Sequence, residues 1–191
     1  MGFLDAVLGR RKIKGPDLDA LFAVPTAAIT LETAAGLTPT GTAAICYRDP
    51  EGAPFDRLEA DITAMLQASR PVLSRDSHGY TWIVLHGTSD DLGAVVTDLH
   101  AVTTTLQMEG FGPSILCDLV PFRADDGRTV ALVYLPKRGT FYPFAPREGQ
   151  TRDNSLELQV RAVVGDELPV EPDVTRWFAV WDAPGLAPPS Q

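Results

Sequence analysis

Three times in this chain a strand–turn–strand pattern gives way to a helical one, and this alternation constrains the fold more than any motif does. Residues 26–34 and 41–48 read as strands parted by the turn-rich stretch from Gly36 to Gly41. A helix is expected next at 54–69, where Phe55, Leu58, Ile62, Met65 and Leu66 keep a helical period and Pro54 suits the first turn. The second hairpin is expected at 72–76 and 80–86, with Asp76-Ser77-His78-Gly79 as its bend. The longest helix follows at 90–109, capped by Ser89 and ended by Gly110. The third hairpin falls at 114–123 and 128–136 around Asp125-Asp126-Gly127, and its strands are apolar on both sides, which places them centrally. Residues 154–164 fit either period. The caps at Asp153 and Asn154, the Glu157–Arg161 pair and Gly165 favour a helix.

Hairpins joined to helices build an antiparallel sheet with the helices on one face, so the expected fold class is α+β. Three regions are expected: an amphipathic, basic helical segment at 1–24, an α+β domain at 25–165, and a proline-rich C-terminal tail at 166–191. The tail should pack on the domain through Trp177, Phe178 and Trp181. A hydrophobic content of 45% against 21% charged residues supports a real core.

Charge is unevenly placed. Residues 1–14 carry Arg10, Arg11, Lys12 and Lys14 against Asp5 alone, whereas the whole chain has a net charge of −9. An acidic body opposes nucleic-acid binding, because it repels a polyanion. No apolar run near the length of a bilayer span stands out, and Asp5 breaks the first apolar stretch, so neither a spanning helix nor a signal peptide is expected. Ala6 stands where a myristoylation signal has Ser or Thr. The expected location is the cytoplasm, with peripheral contact at the inner face of the membrane as an option.

Chemistry is hard to find. The phosphate loops, the zinc motif HExxH and the nucleophile elbow GxSxG are absent. His78, His86 and His100 are scattered and read as solvated or core-edge residues. Cys46 and Cys117 sit in apolar, strand-like runs. Free buried thiols are the favoured reading, since two strand cysteines bridge only in one specific geometry. No catalytic residue, metal or cofactor is expected, and the chain does not read as an enzyme.

Contact residues are easier to nominate. Phe3, Leu4, Val7 and Leu8 form one apolar stripe on a short helix, followed by Arg10, Arg11 and Lys12. Such a segment suits a partner or, weakly, an anionic membrane surface. The run from Lys137 to Pro146 places three aromatics beside two cations, and Arg138 and Tyr142 are the candidates there. Tyr142, Lys137 and Arg138 are expected to be exposed while Phe141 and Phe144 pack inward. The competing reading is a chaperone-like or small-ligand-binding module using the sheet face and segment 137–146.

Several long strings carry a family resemblance: MGFLDAVLGR, ITLETAAGLTPTG, YTWIVLHG, GFGPSILC, ALVYLPKRGTFYPFAP, RDNSLELQVR and LPVEPDVTRWFAVW. Together they span nearly the whole chain and resemble the actinobacterial PspA-associated protein family, PspAB. One departure is Pro136, where that pattern has tyrosine. The resemblance implies an accessory role in the phage-shock, envelope-stress response. There PspA, an amphipathic-helix membrane effector, guards the inner membrane. It also implies a PspA-like protein or a membrane protease as partner, and it supplies no catalytic residues.

Overall fold

The computed structural model describes residues 17–48, 62 and 71–186. A 3₁₀ turn at Leu18–Ala23 runs directly into helix α1, Val24–Ala35. Strands β1 (Leu37–Pro39) and β2 (Thr42–Tyr47) follow, then β3 (Val72–Arg75) and β4 (Thr81–His86). Helix α2 spans Leu92–Met108 and leads to β5 (Ile115–Ala124), β6 (Thr129–Leu135) and β7 (Thr140–Phe144). A small hairpin of β8 (Pro146–Arg147) and β9 (Thr151–Arg152) precedes α3, Asn154–Val164. The main sheet has the order β3-β4-β2-β5-β6-β7, with β1 also paired to β5, and every pairing within it is antiparallel. The fold is α+β, as the hairpin–helix alternation implies, and β5 and β6 are buried on both sides as expected.

The expected strand at 26–34 is instead part of α1. Val24, Ala27, Ala28 and Leu31 are its buried residues, at strict helical spacing, and Pro25 lies in its first turn. Thr26, Ile29 and Thr30 gave the stretch its strand-like look, but they lie between those buried positions. Gly36 closes the helix in the left-handed conformation, its N–H donating to the Glu32 carbonyl at 3.0 Å. The boundary expected between residues 24 and 25 therefore falls inside a continuous helical run. Leu18–Ala35 has a mean hydropathy of 1.3 over 18 residues, long and apolar enough by length and composition to cross a bilayer. In this fold Leu21, Val24, Ala27 and Leu31 are instead buried against the sheet and neighbouring helices. The helix expected at 54–69 lies outside the described residues except for Ile62, which is helical and buried. Helix α2 is capped by Asp91 rather than Ser89. The Asp91 carboxylate accepts from the Ala94 N–H at 3.1 Å, and residues Ser89–Asp91 form a 3₁₀ turn before it.

Alternation along the strands makes two cores. Ile45, Tyr47, Ile83, Val120, Phe122, Leu132 and Tyr134 face the helices. Ala44, Cys46, Trp82, Cys117, Leu119, Val133 and Tyr142 face the other way and pack with Trp177, Ala183 and Leu186 of the tail. The edge strand β7 tolerates Pro143 because the Phe141 N–H, two residues earlier, points away from β6 to the Pro169 carbonyl. The missing N–H of Pro143 thus costs the sheet no ladder bond. Residues 169–171 then cover that edge, with Glu171 N–H donating to the Phe141 carbonyl at 2.7 Å.

Strand β5 sends a carboxyl into the helix-side core. Asp118 is fully buried, accepts from the Thr103 hydroxyl at 3.1 Å, and its other oxygen has no hydrogen-bond partner among the described residues. Burial outweighs the Thr103 hydrogen bond and pushes its pKa from 3.8 up to about 8. A pKa raised by folding means the native state keeps a proton that the unfolded chain releases. The resulting stability is present below pH 3.8 and is lost as pH rises through about 8. Urea unfolding should therefore show stability falling across that window by at most about 1.4 kcal/mol per pH unit. Asp118→Asn should flatten the slope; an unchanged slope would contradict a buried, protonated Asp118.

Candidate functional site

On the sheet face away from the helices, side-chain size varies sharply between neighbouring strands. Ala44, Cys46 and Cys117 are small, while Trp82, Leu135 and Tyr142 flank them with large groups. The tail crosses above this low ground at residues 178–182 without filling it. A cleft of about 680 Å³ remains, floored by Cys46, Cys117, Trp82, Leu135 and Tyr142 and walled by Leu116, Val180 and Trp181. Its rim carries Asp76, His78 and Asp182 together with Lys137 and Arg138. Volume and lining match sites that bury an apolar group and orient it with a few polar ones.

Four attachments hold the tail over the cleft. Glu171 is fully buried and receives Arg138 Nε at 2.6 Å, the Thr140 hydroxyl at 2.9 Å and the Asp173 N–H at 3.2 Å. Burial pushes its carboxyl up, but these hydrogen bonds outweigh burial and hold it below the ordinary glutamate range. Trp177 donates from Nε1 to the Glu171 carbonyl at 3.0 Å and stacks on Tyr142 with ring centroids 6.2 Å apart. Arg152 donates to both oxygens of Glu157, at 2.9 and 3.2 Å, and also to the Trp177 carbonyl. Farther along, Asp182 accepts from the Ser77 hydroxyl and lies 3.5 Å from His78 Nδ1, which ties the tail to the β3–β4 turn. Beyond it, a Cβ on Gly185 would sit 2.9 Å from Pro121, and its φ of +80° suits glycine alone.

The cleft gathers thiol, imidazole and carboxylate groups, yet each is engaged in structure. Asp76 accepts from the His78 and Tyr80 N–H groups at 2.9 Å and from Trp82 Nε1 at 3.0 Å. Burial raises its pKa, but those three donors together hold it below the usual carboxylate range. The Cys117 thiol is held protonated by its hydrogen bond to Cys46 and then by burial, which makes it a poor nucleophile. Among the described residues no group of His, Cys, Asp and Glu is placed to hold a metal ion. The arrangement is suited to binding.

The model of the PspA associated protein B family matches residues 1–185 of the chain. The chain belongs to that family. It matches no curated protein and no solved structure. The family name indicates association with PspA, and an accessory role is consistent with it.

The contact residues nominated from sequence fall in two groups. Phe3, Leu4, Val7, Leu8, Arg10, Arg11 and Lys12 lie outside the described residues. Arg138 and Tyr142 both line the cleft of this PspAB member, but neither is a free surface group. Tyr142 is only 1% exposed, a correction to its expected exposure: it lies between β6 and the Trp177 ring. Arg138 is exposed in part and paired with Glu171. Phe178, expected as an anchor of the tail, is 63% exposed at the cleft mouth, while Trp177 is the buried anchor. Sequence reasoning missed the floor, whose members come from β2, β4, β5, β6 and β7. The signal available was the pair of small residues at Cys46 and Cys117 amid large apolar neighbours.

Removing Arg138 leaves Glu171 buried beside Thr140 with no charge partner. Arg138→Ala should cost about 2 kcal/mol in urea unfolding at pH 7, below the fully buried case because Arg138 is partly in solvent. Arg138→Lys should recover part of that loss. Because the Glu171 pKa is lowered by folding, its contribution is present above its ordinary 4.5 and disappears as pH falls. The gap between wild type and Arg138→Ala should therefore narrow in acid; a gap constant with pH would contradict the pairing.

Proposed function

We propose that this protein is a non-enzymatic accessory of a PspA-type membrane-stress system and works by contact. The cleft takes apolar side chains from one face of an amphipathic helix of the PspA-type partner. Residues 1–14 add a second contact, with Phe3, Leu4, Val7 and Leu8 as its apolar side and Arg10, Arg11 and Lys12 as its charged side. The observation that carries this reading is the apolar cleft of about 680 Å³ on a sheet face that the tail only partly covers. Its rim has acidic groups at Asp76 and Asp182 and basic groups at Lys137 and Arg138, so a helix with both signs of charge flanking its apolar stripe is a complement. Action takes place in the cytoplasm, at the inner face of the membrane where such an effector works. Weak attraction of the basic segment to anionic lipid supports that placement.

A second reading is favoured by the same cleft: a small apolar ligand. Pockets for such ligands are typically ~300–1,000 Å³, and this one falls inside that range. In that case the accessory role would depend on ligand occupancy.

The test is binding of the full chain to a purified PspA-type protein by calorimetry, beside three variants. Leu116→Arg, at the cleft wall, should weaken binding at least about tenfold, the usual effect of a charge forced into an apolar contact. Leu4→Glu with Leu8→Glu should weaken it by a smaller factor, and Phe22→Ala on the helix side should leave it unchanged. Circular dichroism confirms that each variant is folded. Equal affinity for wild type, Leu116→Arg and the Leu4/Leu8 variant would refute both contacts.

A further inference from the structure

Cys46 and Cys117 are directly opposite each other on neighbouring strands. Both thiols are free, and both are buried, at 3% and 4% exposure. The backbone fixes which kind of pair they make. The Gly87 N–H donates to the Gly41 carbonyl at 2.8 Å, so the odd-numbered residues of β2 direct their backbone groups to β4. The even-numbered ones, Cys46 among them, direct theirs to β5, and the Arg48 N–H bonds the Ser114 carbonyl in agreement with this. Cys46 and Cys117 are therefore a hydrogen-bonded pair, for which the Cα separation is about 5.5 Å. Disulfides span Cα separations of roughly 4.4–6.8 Å.

Two further features bear on what this pair can do. The β2–β5 register shifts immediately after it, between Cys46 and Tyr47, so the backbone there is not locked into a regular ladder. The cleft reaches both cysteines, which gives a small solute access to thiols that are otherwise in the core.

We propose that Cys46 and Cys117 form a reversible dithiol–disulfide site on the cleft floor, oxidised by hydrogen peroxide that enters through the cleft and reduced again by an external dithiol. The Cys46 sulfur attacks one peroxide oxygen, the O–O bond breaks, and one water leaves with the Cys46 proton. Cys46 is then a sulfenic acid. The Cys117 sulfur attacks that sulfur, the S–O bond breaks, and the Cys117 proton departs with the hydroxyl as a second water. Two thiols lose two electrons and one peroxide gains them. Cys117 reacts second because it lies directly opposite the Cys46 sulfur, where proximity offsets its weak nucleophilicity. Closing the bridge draws the two β-carbons together by ~1–2 Å, a movement the adjacent bulge can absorb. A bridge made under such strain is easily reduced, which is the property of a switch and not of a staple. The pairing of the two thiols does not rest on the proposed partner, but an occupant of the cleft would close the peroxide's path.

The experiment is intact-mass and peptide analysis of the full chain after hydrogen peroxide, with iodoacetamide alkylation under denaturing conditions. The expected product has lost two hydrogens and takes up no alkyl group. Its tryptic peptides 15–48 and 76–123 are joined, and dithiothreitol restores both thiols. Cys46→Ser and Cys117→Ser should each gain oxygen or stay reduced, with no hydrogen loss. Wild-type protein that keeps two alkylatable thiols, carries sulfinic acid on either cysteine, or links only between molecules would overturn the proposal.

Discussion

A sheet that is apolar on both faces cannot stand in water with helices on one face alone. Everything distinctive in this protein follows from that constraint. β2 is buried along nearly its whole length and β6 along all of it. Helices α1, α2 and α3 cover one side, and the only described segment on the other is the irregular tail. An irregular cover needs its own backbone hydrogen-bond partners, and here the Arg152 and Glu171 side chains supply two of them. Arg152 and Glu171 serve both the tail and the end of the sheet, so they couple the cover to the edge strand β7.

An irregular cover also packs less completely than a helix. Over the large side chains of β7 the tail makes close contacts, with Trp177 against Tyr142 and Trp181 edge-on to Phe144 at 5.0 Å. Over the small side chains of β2 and β5 it leaves a gap. The cleft is thus the difference between a smooth segment of tail and an uneven sheet. The family name indicates association with PspA, and the proposed contact seats a partner of that kind in the gap. The two thiols that make the floor low are also the two that face each other across a ladder, so one feature of sequence produces both the space and the chemistry within it.

Much of the architecture was legible in the sequence because its signals are local. Gly79 and Gly127 mark two hairpin bends, both in the left-handed conformation. Asp153 caps α3 by accepting from the Leu156 N–H, which resolves the ambiguous 154–164 stretch as a helix. The stretch 26–34 misled because Thr and Ile carry strand propensity, while the deciding pattern, burial at Val24, Ala27, Ala28 and Leu31, begins two residues before it. β7 escaped notice because Pro143 suggests an exit from the sheet, and only pairing shows that its nitrogen points outward. The cleft escaped for a deeper reason. Cys46 and Cys117 are far apart in sequence, and nothing short of strand register places one beside the other. The Arg138–Glu171 pair is hidden in the same way, since its members lie on either side of β7, the β8–β9 hairpin and α3.

The proposed place of partner recognition is the tail-covered cleft. Hydrogen–deuterium exchange of the full chain, with and without a saturating PspA-type protein, tests it most directly. Recognition at the cleft should slow exchange in the tail around residues 178–182 and at the β6–β7 turn near Lys137 and Arg138, with the helix side unchanged. Protection confined to helices α1 and α2, with exchange in the tail unaltered, would contradict it.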